Sequence, residues 1–384
     1  MVDFDELSSF YKDKKVLITG HTGFKGSYLT VILGMMGARV YGYSLKPNTE
    51  PCLFDILYGA GMSSRNETEL RIRLDSVRNV VGSIAESHIA DIRDFDELEN
   101  FYNRIEPDIV LHLAAQPLVR ESYRIPRETY ETNVMGTVNI LECIRRNPCC
   151  SSFLNVTTDK VYLNEEKPDY AYMEDDKLDG YDPYANSKSC SELVTHSYAC
   201  SFLRAAGVSV STARAGNVIA GGDFSLDRII PDCVKAVVNA QPVMVRNPNS
   251  IRPYQHVFEP LFMYLTIAMK QALDPACAGW YNVGPDAEDC VTTGELVDMF
   301  VRAYGENASW ESPEAAGGPH EAGLLKLDNS KIKQVFGWEP VWHMPRTIQA
   351  ITDWTKAWLI SNEAANEELM RQIISYAKEM KREQ

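Results

Sequence analysis

The sequence predicts an α/β protein, a doubly wound parallel sheet followed by a smaller C-terminal α/β lobe, and three observations carry that prediction. A short apolar run, Val16-Leu17-Ile18, breaks into the glycine loop Gly20-His21-Thr22-Gly23-Phe24-Lys25-Gly26, after which Leu29, Ile32, Leu33 and Met36 recur at helical spacing. Short strand-like runs then alternate with helical patterns as far as residue 217. Beyond it the alternation gives way, and 384 residues are more than one compact core usually holds. The boundaries expected are 1–217 for the sheet domain and 218–384 for the lobe, with the chain returning to the sheet near 254–282.

The glycine loop makes the first domain Rossmann-like. Gly20 lets the chain turn, Gly23 lets backbone N–H groups approach a pyrophosphate, and Gly26 lets helix pack close on strand. The N–H groups and partial positive charge at the helix start favour the anion. Such a loop alone is as often a plain turn as a cofactor site. Its place directly after an N-terminal strand favours the cofactor.

The second strand, Ala38 to Ser44, ends on Ser44 with Lys46 nearby, where an acidic residue ordinarily meets the adenosine ribose. On charge alone, NAD and NADP both remain open. Residues 47–82 read as a helix plus a surface insertion. The third strand, Ile84 to Ala90, leads into Asp91-Ile92, where Asp91 can accept a hydrogen bond from an adenine amino group or cap a helix. The fourth strand begins at Ile109 and runs to small residues, Ala114 and Ala115, that leave room for a nicotinamide ribose. His112 inside it reads as a satisfied core residue.

A helix is expected from Asn133 to Arg146, then a strand from Phe153 to Val156 with Thr157-Thr158-Asp159-Lys160 at its carboxyl end, where open parallel sheets place their chemistry. Tyr184 and Lys188 stand four apart at the start of the next helix and so share a face. An ammonium beside a phenol favours phenolate, which predicts a lowered pKa for Tyr184 and a role as base. A sixth strand, Val208 to Arg214, precedes Asn217. In the lobe, Arg228 and Arg252 could hold a diphosphate by bidentate hydrogen bonds or serve as salt-bridge partners. His256 could brace the turn after Arg252, Thr293 is the expected cap of a helix, and residues 363–384 read as an amphipathic helix on the lobe's surface.

Composition excludes several classes. The formal net charge of -15 leaves no basic stripe for nucleic acid. No apolar run reaches the about 18 residues of a membrane span, and the acidic start Met1-Val2-Asp3-Phe4-Asp5-Glu6 lacks an apolar targeting segment, which points to a cytoplasmic protein. Nine cysteines form no Cys-x-x-Cys pair and read as reduced thiols, and seven histidines show no metal-ligand spacing, so no metal is expected.

With these residues in view, the chain resembles the extended short-chain dehydrogenase/reductase family of nucleotide-sugar enzymes, and within it the 4,6-dehydratases. The likeness runs through Thr19–Gly26, Gly42–Leu45, His112–Arg120, Thr158–Lys160, Tyr181–Lys188, Ala213–Ile219, Leu226–Asp232, Ile251–Val257 and Leu325–Asp328. Val161 departs from the expected Cys, and 62–80 looks like an insertion.

The resemblance implies NAD as cofactor, held by Gly20, Thr22, Gly23, Phe24, Gly26, Ser44, Asp91, Ile92, Ala114, Ala115, Tyr184 and Lys188. It implies CDP-glucose as substrate, with Asn217, Arg228 and Arg252 on the sugar diphosphate, and a homodimer or pair of dimers through helices 133–146 and 185–206. In the reaction so implied, Tyr184 removes the 4-hydroxyl proton and Thr158 hydrogen-bonds that hydroxyl. Lys160, its pKa lowered by burial, takes the C5 proton, and Asp159 protonates the departing 6-hydroxyl. A nucleotide-sugar 4-epimerase would share the loop and the tyrosine but needs no acid-base pair at C5. A dinucleotide-binding regulator would commonly lack Tyr184 or Lys188.

Overall fold

The computed structural model describes residues 2–59, 84–168, 170–305, 308–312 and 324–381. Its main sheet takes six strands from residues 15–215: β1 Lys15–Thr19, β2 Arg39–Ser44, β3 Ile84–Ile89, β4 Ile109–His112, β5 Ser152–Val156 and β6 Ser209–Ala215. A seventh, Trp280–Val283, returns from the second half and closes one edge, giving the order Trp280–Val283, β6, β5, β4, β1, β2, β3, all parallel.

Each central strand is apolar on both faces, because helices cover both. The period of two sorts the side chains into two layers. Val16, Ile18, Ile109, Leu111 and Leu154 pack on one side with helices Phe24–Met35 and Phe258–Leu273, whereas Leu17, Val110 and Phe153 pack on the other with helices Phe95–Ile105 and Gly136–Arg146. Reversal of strand order beside β1 opens a crevice at the carboxyl ends of β1 and β4.

The lobe has its own core around Ile230, Val234, Leu296, Phe300, Ile348 and Ile351, from helices Ile229–Val238, Thr293–Tyr304 and Met344–Ile360. Three two-stranded pairs stitch it: Val218–Ile219 with Gln255–His256, Val243–Met244 with Trp310–Glu311, and Ile251–Pro253 with Cys290–Thr292.

Three features differ from the sequence-based expectations. The helix expected from Asn133 starts at Gly136 after a π-helical turn, Glu131–Met135. The cap of helix Thr293–Tyr304 is Thr292, not Thr293, because Thr292 and Glu295 form a reciprocal capping box. The C-terminal helix, Asn362–Glu379, sends Leu369, Ile373 and Tyr376 into the core of the sheet domain instead of lying on the lobe's surface. The insertion expected at 62–80 lies outside the described residues. All nine cysteines are free thiols. Among the described residues no helix is long and apolar enough to cross a membrane, and no group of His, Cys, Asp or Glu could hold a metal ion.

Glu259 locks the C-terminal helix to this core. Its buried carboxyl accepts from Trp342 N at 2.7 Å and Val341 N at 3.1 Å, and Tyr376 Oη donates to it at 2.9 Å. Burial pushes its pKa up to about 7, against the opposing effect of those hydrogen bonds. A carboxyl raised in the fold contributes stability that is fully present below its unfolded pKa near 4.5 and lost as pH rises through about 7. Glu259→Gln keeps one acceptor oxygen for the backbone N–H groups of Val341 and Trp342, offers an N–H that Tyr376 Oη can accept, and removes the charge. It is expected to be more stable than the native chain at pH 7, by up to about 2–3 kcal/mol, and to lose that advantage near pH 5. Melting curves at the two pH values check this, and a difference independent of pH would refute it.

Candidate active site

The glycine loop is built by close approach. Gly20 has φ +78°, and a Cβ there would meet Ala114 N at 2.8 Å. A Cβ on Gly26 would collide with Gly20 O and lie 2.7 Å from His21 Cα. Gly23 caps the helix Phe24–Met35 without a side-chain bond, so the first-turn N–H groups point outward unsatisfied by any capping side chain. Thr19 closes the crevice from behind: its Oγ1 accepts from Leu113 N and Ala114 N, each at 3.2 Å, and lies 2.7 Å from His112 Nδ1. His112 also reaches Thr137 Oγ1 at 3.1 Å, and burial lowers its pKa to about 3, so it is a neutral core residue as expected.

At the outer end of the loop, Thr22 Oγ1 lies 2.9 Å from Ser44 Oγ and donates to Leu45 O at 2.8 Å. Asp91 is gripped by Arg93, with Nη2 to Oδ2 at 2.6 Å, and this pairing holds its carboxyl below the usual aspartate range. Ile92 is buried against Gly136. These residues flank the glycine loop and stand apart from the cleft on its other side. A pocket cradled by Gly20, Gly23 and Gly26, with free N–H groups for a pyrophosphate and polar groups at Ser44 and Asp91, fits a dinucleotide. Gly26→Ala is expected to push Gly20 and His21 out of place and weaken NAD binding by at least about tenfold, read by calorimetric titration, with the fold itself losing about 1–3 kcal/mol. Unchanged NAD affinity would show that the close approach is not needed.

On the other side of the loop lies a cleft of about 540 Å³ between the sheet domain and the lobe. Thr158, Asp159, Lys160 and Tyr184 line it together with Asn217, Arg228 and Arg252, so the residues singled out from sequence for chemistry and for the diphosphate meet in one place. Helix Pro183–Tyr198, capped by Asp182, presents Tyr184 at its first turn and Lys188 one turn later.

The expected lowering of the Tyr184 pKa is not what the protein shows. Burial pushes the phenol up to about 12, with a hydrogen bond to Thr158 opposing and the Asp159 charge adding to the rise. Lys188 Nζ donates to Val156 O at 3.1 Å, and burial lowers its own pKa to about 8. Loss of water dominates at both groups, with Thr158 and Arg228 opposing it at the tyrosine and Glu192 at the lysine.

Asp159 is buried. Thr158 Oγ1 donates to its Oδ1 at 2.9 Å, while Oδ2 has no partner among the described residues. Burial raises its pKa, with Lys160 and Arg252 opposing. A carboxyl of this kind holds a proton more readily than an exposed aspartate and has an oxygen ready to give it. Gly216 leaves the space, since a Cβ there would come within 2.9 Å of Oδ2.

Beneath the site, Arg214 at the end of β6 and Glu192 on helix Pro183–Tyr198 form a buried ion pair, Nη2 to Oε2 at 3.0 Å. Glu192 also accepts from Thr157 Oγ1 at 2.5 Å and Thr212 Oγ1 at 2.6 Å. Arg214 further donates to Tyr162 Oη and Glu174 O, each at 2.8 Å. With all partners supplied, this network fixes the strand end that carries Thr158 to Lys160.

Sequence reasoning passed over Lys25. It lines the cleft from the first turn of the glycine-loop helix, its Nζ 5.8 Å from the Tyr264 ring centre. Loss of water lowers its pKa to about 7, reinforced by Lys188 and Arg228 and opposed by Asp159. The available signal was a lone charge in an otherwise apolar or small-residue helix, Phe24-Lys25-Gly26-Ser27-Tyr28-Leu29.

Comparison with known proteins covers nearly the whole chain. Residues 17–351 match the protein family described as GDP-mannose 4,6 dehydratase. A CDP-glucose 4,6-dehydratase of Salmonella typhimurium is 44% identical over 358 residues, 91% of this chain and 93% of that protein. Among solved structures, dTDP-glucose 4,6-dehydratase from Bacillus anthracis in complex with NAD aligns with a TM-score of 0.66 at 18% identity, over 89% of this chain and 96% of that one. UDP-glucose-4-epimerase from Stenotrophomonas maltophila, with bound NAD and formylated UDP-arabinopyranose, aligns with a TM-score of 0.73 at 18% identity, over 90% and 99%. At such identities these two structures speak for the fold alone.

Proposed function

Because this chain belongs to the GDP-mannose 4,6 dehydratase family, we propose that it is an NAD-dependent hydro-lyase that converts CDP-glucose to CDP-4-keto-6-deoxy-glucose. The observation that carries the chemistry is the pairing of Asp159 and Lys160 in the same cleft as Tyr184. The similarity to the Salmonella enzyme supports the substrate. NAD, when bound, supplies an acceptor for the C4 hydrogen and a donor to C6, and so finishes oxidised.

The chain's own residues do the rest. The loop at Gly20, Thr22, Gly23, Phe24 and Gly26, with Ser44, Asp91, Ile92, Ala114 and Ala115, holds the dinucleotide, and Lys188 anchors its nicotinamide ribose. Tyr184 takes the proton of the 4-hydroxyl, which Thr158 orients, in the phenolate form that the positive charges of Lys188 and of bound NAD would favour over the buried phenol. Oxidation at C4 acidifies C5. Lys160 then takes the C5 proton, and Asp159 gives its proton to the departing 6-hydroxyl, so water leaves across C5 and C6; Lys160 hands its proton back to C5 when C6 is reduced. Arg228, at the foot of its helix and paired with Asp223 at 3.0 Å, holds the diphosphate with Arg252 and Asn217.

We also propose a two-fold dimer through helices Gly136–Arg146 and Pro183–Tyr198, where Tyr130, Met135, Leu193 and Phe202 stand exposed nearby. Light scattering after gel filtration tests it. The same reading carries a cytoplasmic location.

The deciding experiment incubates the protein and NAD separately with CDP-glucose, UDP-glucose and dTDP-glucose and follows each product by mass. Loss of one water from CDP-glucose without net NADH is expected. An unchanged mass with altered hexose stereochemistry would move the assignment to a 4-epimerase.

A further inference from the structure

The sugar's reacting carbons belong at Tyr184 and Asp159 and its diphosphate at Arg228 and Arg252, so the nucleobase falls in the part of the cleft that continues into the lobe. That part is walled by Ile230, Pro231 and Asp232 from the first turn of helix Ile229–Val238, and by Met244, Val245 and Arg246 after a short strand. Arg228 immediately precedes this helix, so a diphosphate held there sets the base over the turn that carries Asp232.

Four of these six residues are apolar and suit the faces of a flat ring. The other two carry opposite charge. Asp232 is half-buried, and no side chain among the described residues donates a hydrogen bond to its carboxylate. Burial holds its pKa above the ordinary aspartate value, Arg246 opposes that rise, and Asp227, Lys235 and Arg120 are the other charged groups within electrostatic reach. Arg246 uses one N–H on Asp227, Nη1 to Oδ1 at 3.1 Å, out of the five a guanidinium offers. The far end of the cleft thus presents an acceptor-only group beside a donor-only group.

Resting on the CDP-glucose reading, we infer that Asp232 and Arg246 read the pairing edge of cytosine, the carboxylate accepting from the 4-amino group and the guanidinium donating to N3. Uracil and thymine turn both contacts around. Their O4 faces the carboxylate and their N3–H faces the guanidinium, so each buried polar group is left opposite its own kind. Discrimination therefore comes from rejection of the 4-oxo bases as much as from attraction to cytosine.

The test is calorimetric titration of the NAD-loaded protein with CDP, UDP, dTDP and GDP, repeated for Asp232→Asn and Arg246→Met. An asparagine amide can turn either its oxygen or its nitrogen to the base, so Asp232→Asn is expected to shrink the CDP-to-UDP affinity ratio by at least about tenfold, with UDP gaining. Arg246→Met is expected to weaken CDP more than UDP. Melting temperature and NAD affinity of each variant show that the fold is intact, and Asp232→Ser replaces Asp232→Asn if it is not. A native protein that prefers UDP, dTDP or GDP would overturn the CDP reading itself. A native preference for CDP that survives unchanged in folded Asp232 variants would overturn this inference and leave the dehydratase reading standing.

Discussion

Replacing Tyr184 by Phe is expected to lower turnover of CDP-glucose by about 10²–10⁴-fold, the usual contribution of a positioned acid-base group. The ring is buried in the first turn of a capped helix, and only its hydroxyl meets Thr158 and the cleft, so the variant keeps its packing and loses the one atom that takes the 4-hydroxyl proton. Oxidation at C4 precedes elimination. Both steps should therefore fail together, with neither a dehydrated product nor an absorbance change from reduced nicotinamide on mixing with substrate. Substrate binding, measured by titration, should stay within about threefold, because the diphosphate and base contacts are untouched. Full turnover by the folded variant would remove Tyr184 from the chemistry.

Lys160→Met should divide the reaction instead of abolishing it. Lys160 lines the cleft next to Asp159 and helps hold that carboxyl's pKa down, but Tyr184 and Thr158 do not depend on it. The expected result is a loss of dehydrated product of about 10²–10⁴-fold, while C4 oxidation persists and is seen as near-ultraviolet absorbance on mixing. Loss of both steps with folding intact would sink the division of labour between the tyrosine and the Asp-Lys pair. Asp159 is expected to take on a still higher pKa in this variant, since the cation that most opposes its rise is gone.

The sheet was legible in the sequence because each central strand is a short apolar run and the helices between them have one apolar face. The loop at Gly20, Gly23 and Gly26 was legible because closely packed backbone leaves no room for a side chain. The proposed catalytic group stands out in the sequence because Tyr184 and Lys188 are held at a fixed helical spacing, and Thr158 to Lys160 sit at a strand end. What the sequence does not carry is distance across elements. Nothing in the local pattern shows that Lys25, some 130 residues before Asp159, enters the same cleft, or that Asp232 faces Arg246. Nor does helical spacing report how deeply the phenol is buried, which is why the Tyr184 pKa moved opposite to expectation. The capping residue of the Thr293 helix was missed by one position because two adjacent threonines offer the same hydroxyl, and only the reach of Glu295 chooses between them.

The core of the sheet domain is closed by the end of the chain. Trp280–Val283 supplies an edge of the sheet, and Leu369, Ile373 and Tyr376 fill space against Phe258 and Phe262. During synthesis, at about 5–20 residues per second, the glycine loop leaves the ribosome many seconds before these partners exist. Until then the helix Phe258–Leu273 has an uncovered apolar flank, the kind of surface that invites aggregation. A nascent chain that has reached residue 300 therefore holds a dinucleotide loop without a finished domain around it.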